Sequence, residues 1–369
     1  MDNYRTVPVL LLLVVLTGVC AVDACTGIRI STTNGDIFRG RTMEFAVPLP
    51  SDVIVIPRGW DFTGTTVSGG EGLEWTSELA AVGVNGFGLP LLADGVNEDG
   101  LSAALFYFAN YVGYQEEPYD KSSVLGPHQL VTWILTSFSS VEEVRESIDR
   151  VVVPAVSVPA FGSVPPLHYI VMDRSGDCMV IEHINGELVV YDNPLGVITN
   201  SPSFDWHITN LDSYVNLSPM NAPPFEMDGI EIRELGMGSG LLGIPGDFTP
   251  PSRFVQAVFF SKSAVPVEDC DDAVLQVFHI LNQFDIPPGS SRVTWDESGD
   301  DFVFDQTLWS SVSDLSRCRY YFRTHDNGRI RMVDLEALDP TADVILSYTM
   351  SGGEEILDLT ENPEILNVE

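Results

Sequence analysis

Lysine is almost missing from this chain. Lys121 and Lys262 are the only two in 369 residues, and with arginine they make 18 basic side chains against 53 acidic ones. The formal charge of −35 excludes nucleic acid and anionic membrane surfaces as partners, because both repel a polyanion at long range. Such a surface keeps a protein soluble, and it equally suits a saline habitat where counterions screen self-repulsion. Cysteine is scarce too: Cys20, Cys25, Cys178, Cys270 and Cys318 do not describe a disulfide framework. The last three are expected as buried apolar residues. Beyond the run from Val9 to Leu16 no apolar stretch is long enough to cross a bilayer. The patterns Gly-x-Ser-x-Gly and His-Glu-x-x-His are absent. Gly238 to Gly243 spells a dinucleotide fingerprint by letter, but Pro245 follows where a helix would have to open. The histidines are scattered. The acids Asp296, Glu297, Asp300, Asp301 and Asp305 lack EF-hand spacing and read as a solvated loop. Neither a metal nor a cofactor is expected.

What is present is a cysteine at a processing junction. The apolar run is followed by Val22-Asp23-Ala24 and then Cys25, and small residues at the third and first positions before a cut are what signal peptidase accepts. Residues 1–24 therefore read as a signal peptide, and the exported chain would begin at Cys25. A terminal cysteine carries nucleophile and base on one residue. Its amine titrates at about 7.7–8.0 and its thiol at about 8.5, so the amine can take the thiol's proton. This predicts an N-terminal nucleophile hydrolase.

The residues that follow predict a hairpin, with Ile28 and Ile30 before Asn34-Gly35 and Ile37 and Phe38 after it. A two-residue loop would set Cys25 opposite Glu44 and Ile28 opposite Arg41. A three-residue loop ending at Gly35 would set Cys25 opposite Met43 and Gly27 opposite Arg41. Side chains alternate, so only the first register brings Glu44 to the Cys25 face and only the second brings Arg41. Both can serve Cys25 only if the strand bulges or ends between them. Further on, Leu101 to Phe106 reads as a strand, and Pro127 to Phe138 as a buried helix. Ser140 to Glu143 reads as a capping box opening a second helix. A meander spans 169–191, with a short strand from Gly196 to Thr199. An irregular Pro- and Gly-rich excursion runs from Trp206 to Thr249. Ser252 is expected to cap a helix, Val267 to Phe284 to form another, and strands to return at 302–309, 318–323 and 330–335. No linker divides residues 25–369, which read as one domain.

The string CTGIRISTTNGDIFRGRTMEF from Cys25, GVNEDGL from Gly95, TNSPSFDWHITNL from Thr199 and PPSRFVQA from Pro250 resemble, in order, the choloylglycine hydrolase family. That family contains bile salt hydrolases and penicillin V acylases. The resemblance implies an α+β fold, the four-layer α-β-β-α sandwich of N-terminal nucleophile hydrolases, and a homotetramer to which the 206–249 excursion contributes. It makes Cys25 the nucleophile and Arg41 the cation that favours its thiolate. It places Asn97 and Asn200 around the oxyanion and the terminal amine, and Arg253 as the second active-site arginine. Glu44 stands where many members have Asp, and its role beside the amine follows from that position.

The chemistry implied is cleavage of a linear amide. A thiolate attacks the carbonyl, fixed donors hold the oxyanion, the amine protonates the leaving nitrogen, and water cleaves the thioester. Met43, Phe45, Phe106, Tyr107 and Phe108 suggest an apolar acyl site, suited to a steroid, phenoxyacetyl or fatty-acyl group. Penicillin V, conjugated bile salts, acyl-homoserine lactones and N-acylethanolamines all stay open. The other class is a non-catalytic secreted acidic protein that binds calcium or a partner on the same fold, and the intact site residues argue against it.

Overall fold

The structure is a computed structural model, in which residues 24–294, 302–353 and 357 are described. The apolar leader and the acids Asp296, Glu297, Asp300 and Asp301 lie outside the described residues.

Strands β1 (Thr26–Ser31) and β2 (Ile37–Glu44) form the N-terminal hairpin. Thr32 N donates to Asp36 O at 3.0 Å around Thr33, Asn34 and Gly35. Gly35 has φ +91°, a conformation that costs glycine nothing because it lacks a Cβ. The turn is the three-residue one, and it fixes the register: Gly27 opposes Arg41 and Thr26 opposes Thr42. Arg41 and Met43 therefore share one face of β2, and Thr42 and Glu44 the other.

The hairpin is one edge of a five-stranded antiparallel sheet that continues through Thr307–Asp314, Arg319–Thr324 and Asn327–Asp334. A second sheet has eight strands. It runs from Glu187–Asp192 through Cys178–Ile184, Leu167–Met172, Ser102–Tyr107, Leu92–Asn97, Ala81–Asn85 and Asp52–Ile56 to Leu346–Thr349. Strict alternation gives the larger sheet two buried faces. Val53, Val55, Ala104, Phe106, Ile170 and Met172 pack with Ile28 and Val312 between the sheets. Their neighbours Ile54, Ile56, Ala103, Tyr169 and Val171 pack outward on Leu130, Ile134 and Val144. Helices Leu130–Ser137 and Val141–Ser147 cover that outer face, and Pro250–Ser263 and Cys270–Leu281 cover the smaller sheet. The layers run helix, sheet, sheet, helix, as expected.

Charge also crosses between the sheets. Arg39 of β2 pairs with Asp94 of the larger sheet, both buried. Asp94 also accepts from Ser311 Oγ at 2.7 Å and from Tyr320 OH.

Several local expectations need correction. The helix at 250 begins under Thr249, with Ser252 inside its first turn. The next helix is Cys270–Leu281, opened by the Asp269 carboxylate accepting from Asp271 N and Asp272 N. The 206–249 excursion is not irregular at its start, where Phe204–Asn210 is helical. The expected strand 302–309 breaks at Gln306 into Phe302–Asp305 and the start of Thr307–Asp314. The strand at 196–199 reduces to a bridge between Gly27 and Ile198. Cys178 and Cys318 are buried and Cys270 half-buried, and all three are free thiols.

Candidate active site

Cys25 sits at the head of β1, where the register sets it opposite Met43. Its sulfur lies 3.3 Å from Arg41 Nη2 and 3.7 Å from Met43 Sδ. Arg41 is itself wholly buried. Its Nη1 donates to Leu105 O at 2.9 Å. Its guanidinium lies 4.4 Å from the Phe106 ring centroid and 5.1 Å from that of Trp309. Two aromatic faces and one carbonyl thus hold a cation against the thiol with no water needed.

From the sulfur opens an apolar cavity of about 110 Å³, lined by Met43, Phe45, Leu49, Phe87, Leu105, Phe106, Tyr107, His128 and Phe161 among others. Phe45, Tyr107 and Phe161 form an aromatic wall, with ring centroids 6.1–6.3 Å apart.

The opposite side of β2 is ionic and closed. Arg253, in the first turn of its helix, donates from Nη1 to Cys25 O and, at 2.8 Å, to Thr26 Oγ1. Its Nη2 donates to Asn200 Oδ1 at 2.7 Å. The same Oδ1 accepts from Cys25 N at 3.0 Å, while Asn200 Nδ2 donates to Tyr107 O at 2.9 Å. Cys25 is preceded here by buried Ala24, so this nitrogen is a peptide N–H. The Asn200 backbone is held by two histidines: His168 Nε2 meets Thr199 O at 3.1 Å and His207 Nε2 meets Asn200 O at 2.9 Å. These two scattered histidines are scaffolding for the asparagine.

Glu44 faces this ionic side. It accepts from Thr42 Oγ1 at 3.0 Å and Thr307 Oγ1 at 2.8 Å. The neighbouring strand bulges at the same step, since Glu44 pairs with Thr307 but Met43 with Trp309. That bulge belongs to the partner strand at Leu308; β2 itself runs unbroken from Ile37 to Glu44, so the expected bulge or end between Arg41 and Glu44 is not found and Glu44 stays on the face opposite Arg41. The carboxylate is buried; it adds to the upward push on the Cys25 thiol and is itself pulled down by Arg253, without a hydrogen bond between its oxygens and Cys25.

Burial dominates the electrostatics. It pushes the Cys25 thiol up to about 11, against the pull of Arg41. It pushes Glu44 up to about 8, against Arg253. Asp305 is pushed up to about 7, with Arg253 the opposing charge. Asp305 is fully buried and neither carboxyl oxygen has a hydrogen-bond partner among the described residues.

Cys25, Arg41, Glu44, Asn200 and Arg253 come together as the sequence implied, and Met43, Phe45, Phe106 and Tyr107 line the cavity. Two assignments fail. Asn97 is outside this constellation: its Nδ2 donates to Leu135 O and Phe138 O, and its Oδ1 accepts from Asp99 N and Leu101 N. It ties the turn after its strand to the end of helix Leu130–Ser137. Phe108 is outside the cavity, stacked on His168 with centroids 4.5 Å apart, because the strand ends at Tyr107 and alternation ends with it. Sequence reasoning missed Thr307, Trp309, Asp305, Phe161 and His128. Only tertiary packing brings them to Cys25.

Comparison with known proteins agrees with this geometry. Residues 25–346 match the family model "Linear amide C-N hydrolases, choloylglycine hydrolase family", a match that starts at Cys25. A bile salt hydrolase/transferase of Clostridium perfringens is 33% identical over 328 residues, covering 88% of this chain and 96% of that protein. A penicillin V acylase of Pectobacterium atrosepticum is 26% identical over 349 residues, covering 89% and 85%. Among solved structures, a variant of conjugated bile acid hydrolase from Clostridium perfringens superposes with TM-score 0.79 at 31% identity, covering 91% of this chain and 100% of that one. Penicillin V acylase from Agrobacterium tumefaciens shares the fold, with TM-score 0.69 at 24% identity over 88% and 90%. This chain belongs to the choloylglycine hydrolase family of linear amide C–N hydrolases.

Proposed function

We propose that the chain is exported, loses residues 1–24, and hydrolyses amides of a slender apolar acyl group, phenoxyacetyl or fatty-acyl, with Cys25 as nucleophile. The observation that carries this reading is the narrow apolar cavity opening directly on a thiol that Arg41 contacts at 3.3 Å. At about 110 Å³ it is well below the roughly 300–1,000 Å³ of sites for drug-sized ligands.

Removal of Ala24 does two things in this reading. It frees an amine that can accept the thiol's proton, and it places a positive charge beside a sulfur whose pKa burial has raised. Glu44 and Asn200 Oδ1 then hold the ammonium from the ionic side. The thiolate adds to the carbonyl carbon, and the ammonium returns its proton to the departing nitrogen. The thioester is cleaved by a water that the same amine deprotonates. Asn200 Nδ2, now on Tyr107 O, is the donor for the oxyanion once substrate displaces that contact.

A second reading, conjugated bile salts, is favoured by the higher identity to the bile salt hydrolase. A turnover panel of penicillin V, glycocholate, an acyl-homoserine lactone and an N-acylethanolamine tests the choice. Glycocholate as the best substrate would overturn the slender-acyl reading. Mass spectrometry of active material should give a chain beginning at Cys25, and activity from a chain retaining Ala24 would overturn the amine's role.

The assembly proposed is the homotetramer. The hairpin Phe225–Met227 with Ile230–Ile232 exposes both its strands, and Leu235, Met237 and Leu242 beside it are also exposed. Exposed apolar cross-strand pairs such as Phe225 with Ile232 and Met227 with Ile230 favour a second copy as their cover. Sedimentation velocity should give a tetramer, and a monomer at micromolar concentration would exclude it.

A further inference from the structure

The cavity that opens on Cys25 contains one polar side chain that the protein leaves unused. His128 sits in the single turn Pro127–Gln129 and lines the same cavity. Its Nδ1 is buried with no hydrogen-bond partner, and Nε2 has none among the described residues either. The next residue is its opposite. Gln129 Oε1 accepts from Thr65 N at 2.8 Å and Gly126 N at 2.9 Å, and its Nε2 donates to Thr63 O at 2.9 Å. Those bonds pin the turn that carries His128. Gly126 makes room for the ring: a Cβ there would lie 2.7 Å from His128 Cε1 and 2.9 Å from Nδ1. The turn is thus pinned, while the half-buried imidazole it carries makes no hydrogen bond among the described residues.

Burial pushes the His128 pKa down to about 4, so the ring is neutral wherever a cysteine nucleophile works. A neutral imidazole has one N–H to give and one lone pair to receive. An all-carbon acyl chain filling the cavity would strip water from this ring and return nothing. An acyl chain carrying an oxygen at the right depth would return the bond. A site with a polar group waiting discriminates strongly against the analogue that lacks its partner.

We propose that His128 is a specificity-determining residue: it hydrogen-bonds an oxygen on the substrate's acyl chain, as ether, hydroxyl or ketone, and makes the enzyme prefer oxygen-bearing acyl groups to all-carbon ones of equal length. This rests on reading the cavity as the acyl site. The preferred substrates are then amides of oxygenated acids, whatever the amine.

The test is an oxygen scan. N-Octanoylglycine and its analogues with one ether oxygen replacing successive chain methylenes are compared by kcat/KM, using the processed enzyme beginning at Cys25. The wild type should favour one isomer over the octanoyl parent by about tenfold, the scale of one buried hydrogen bond. His128→Leu should flatten that profile, and His128→Gln, which keeps a donor, should retain part of the preference. Thermal melts of all three confirm folding, and a misfolded His128→Leu leaves the wild-type and His128→Gln profiles to decide. A profile identical in wild type and His128→Leu, or flat in the wild type, overturns the proposal while leaving the acyl-site reading standing. Hydrolysis of no member of the series overturns both.

Discussion

The two sides of strand β2 at the active site are built from opposite materials. On the Arg41 side lie Met43, Phe106, Trp309 and an open apolar cavity, with one cation pressed against the sulfur. On the Glu44 side lie Arg253, Thr26, Thr42, Thr307 and Asp305, a buried polar cluster. A two-residue period separates them, so one strand presents both surfaces at once. In the proposed function the cavity side takes the uncharged acyl group, and its apolar lining strengthens the Arg41 field by excluding water. In the proposed reaction the ionic side handles the charge that the amine gains and loses. A single mixed surface would serve neither, because water admitted for the charges would weaken the field on the sulfur.

The comparison breaks most completely at Cys25, which both sides share. Cys25→Ser should stay folded and lose turnover on the order of a thousandfold or more, since an alcohol is a far weaker nucleophile at neutral pH. Unchanged turnover in that variant, with melting temperature retained, would place the chemistry elsewhere. Next in size is the cavity side alone. Arg41→Leu should cost about a hundredfold in kcat/KM, the scale of one lost electrostatic contact in a dry site. It should also move the pH dependence of Cys25 alkylation by iodoacetamide to higher pH. An alkylation profile that does not move would mean that Arg41 only packs.

The ionic side should show itself more in pH than in rate. Glu44 is raised to about 8 and Asp305 to about 7, against about 4 for carboxyls in the unfolded chain. Between those limits the native state holds more protons than the unfolded one. Stability from these groups is therefore complete below about pH 4 and is lost as pH rises through 7 and 8. Asp305→Asn and Glu44→Gln should each flatten the decline of melting temperature between pH 5 and 8. Once Ala24 is removed the new ammonium opposes that upward shift and favours the Glu44 carboxylate, so in the processed chain Glu44→Gln should also lower turnover about tenfold, by loosening the ammonium. A melting profile that stays as steep in both variants would show these carboxyls to be ionised in the native protein.

How much of this was legible in the sequence follows the range of the interaction. The hairpin was readable to within one residue, and the φ of Gly35 decided between two registers that composition left equal. Alternation made the strand through Ala103, Ala104 and Phe106 readable, and it failed at Phe108 because nothing local marks the strand's end. Strand order was not readable. Asp52–Ile56 pairs with Leu346–Thr349 almost a whole chain away, and no local pattern encodes that partner. Cys25 was found at the processing junction, and Arg41 and Arg253 through motif resemblance. Asp305 and His128 carry no motif and matter only because burial isolates them.

The smallest effect on turnover is expected where the resemblance misled. Asn97 lies in Asn-Glu-Asp-Gly, a sequence that makes a turn with or without catalysis. In the structure all of its polar capacity goes to backbone groups, two carbonyls at the end of helix Leu130–Ser137 and two amides of its own turn. Asn97→Ala would leave these buried groups without partners. It should destabilise the fold by about 1–3 kcal/mol and lower the melting temperature. At a temperature where the variant remains folded, kcat/KM should stay within about twofold of wild type, because no atom of Asn97 touches Cys25, Arg41 or the cavity lining. A large loss of turnover at unchanged melting temperature would return Asn97 to the reaction. It would also mean that the boundary between the catalytic faces of β2 and the surrounding scaffold is drawn in the wrong place.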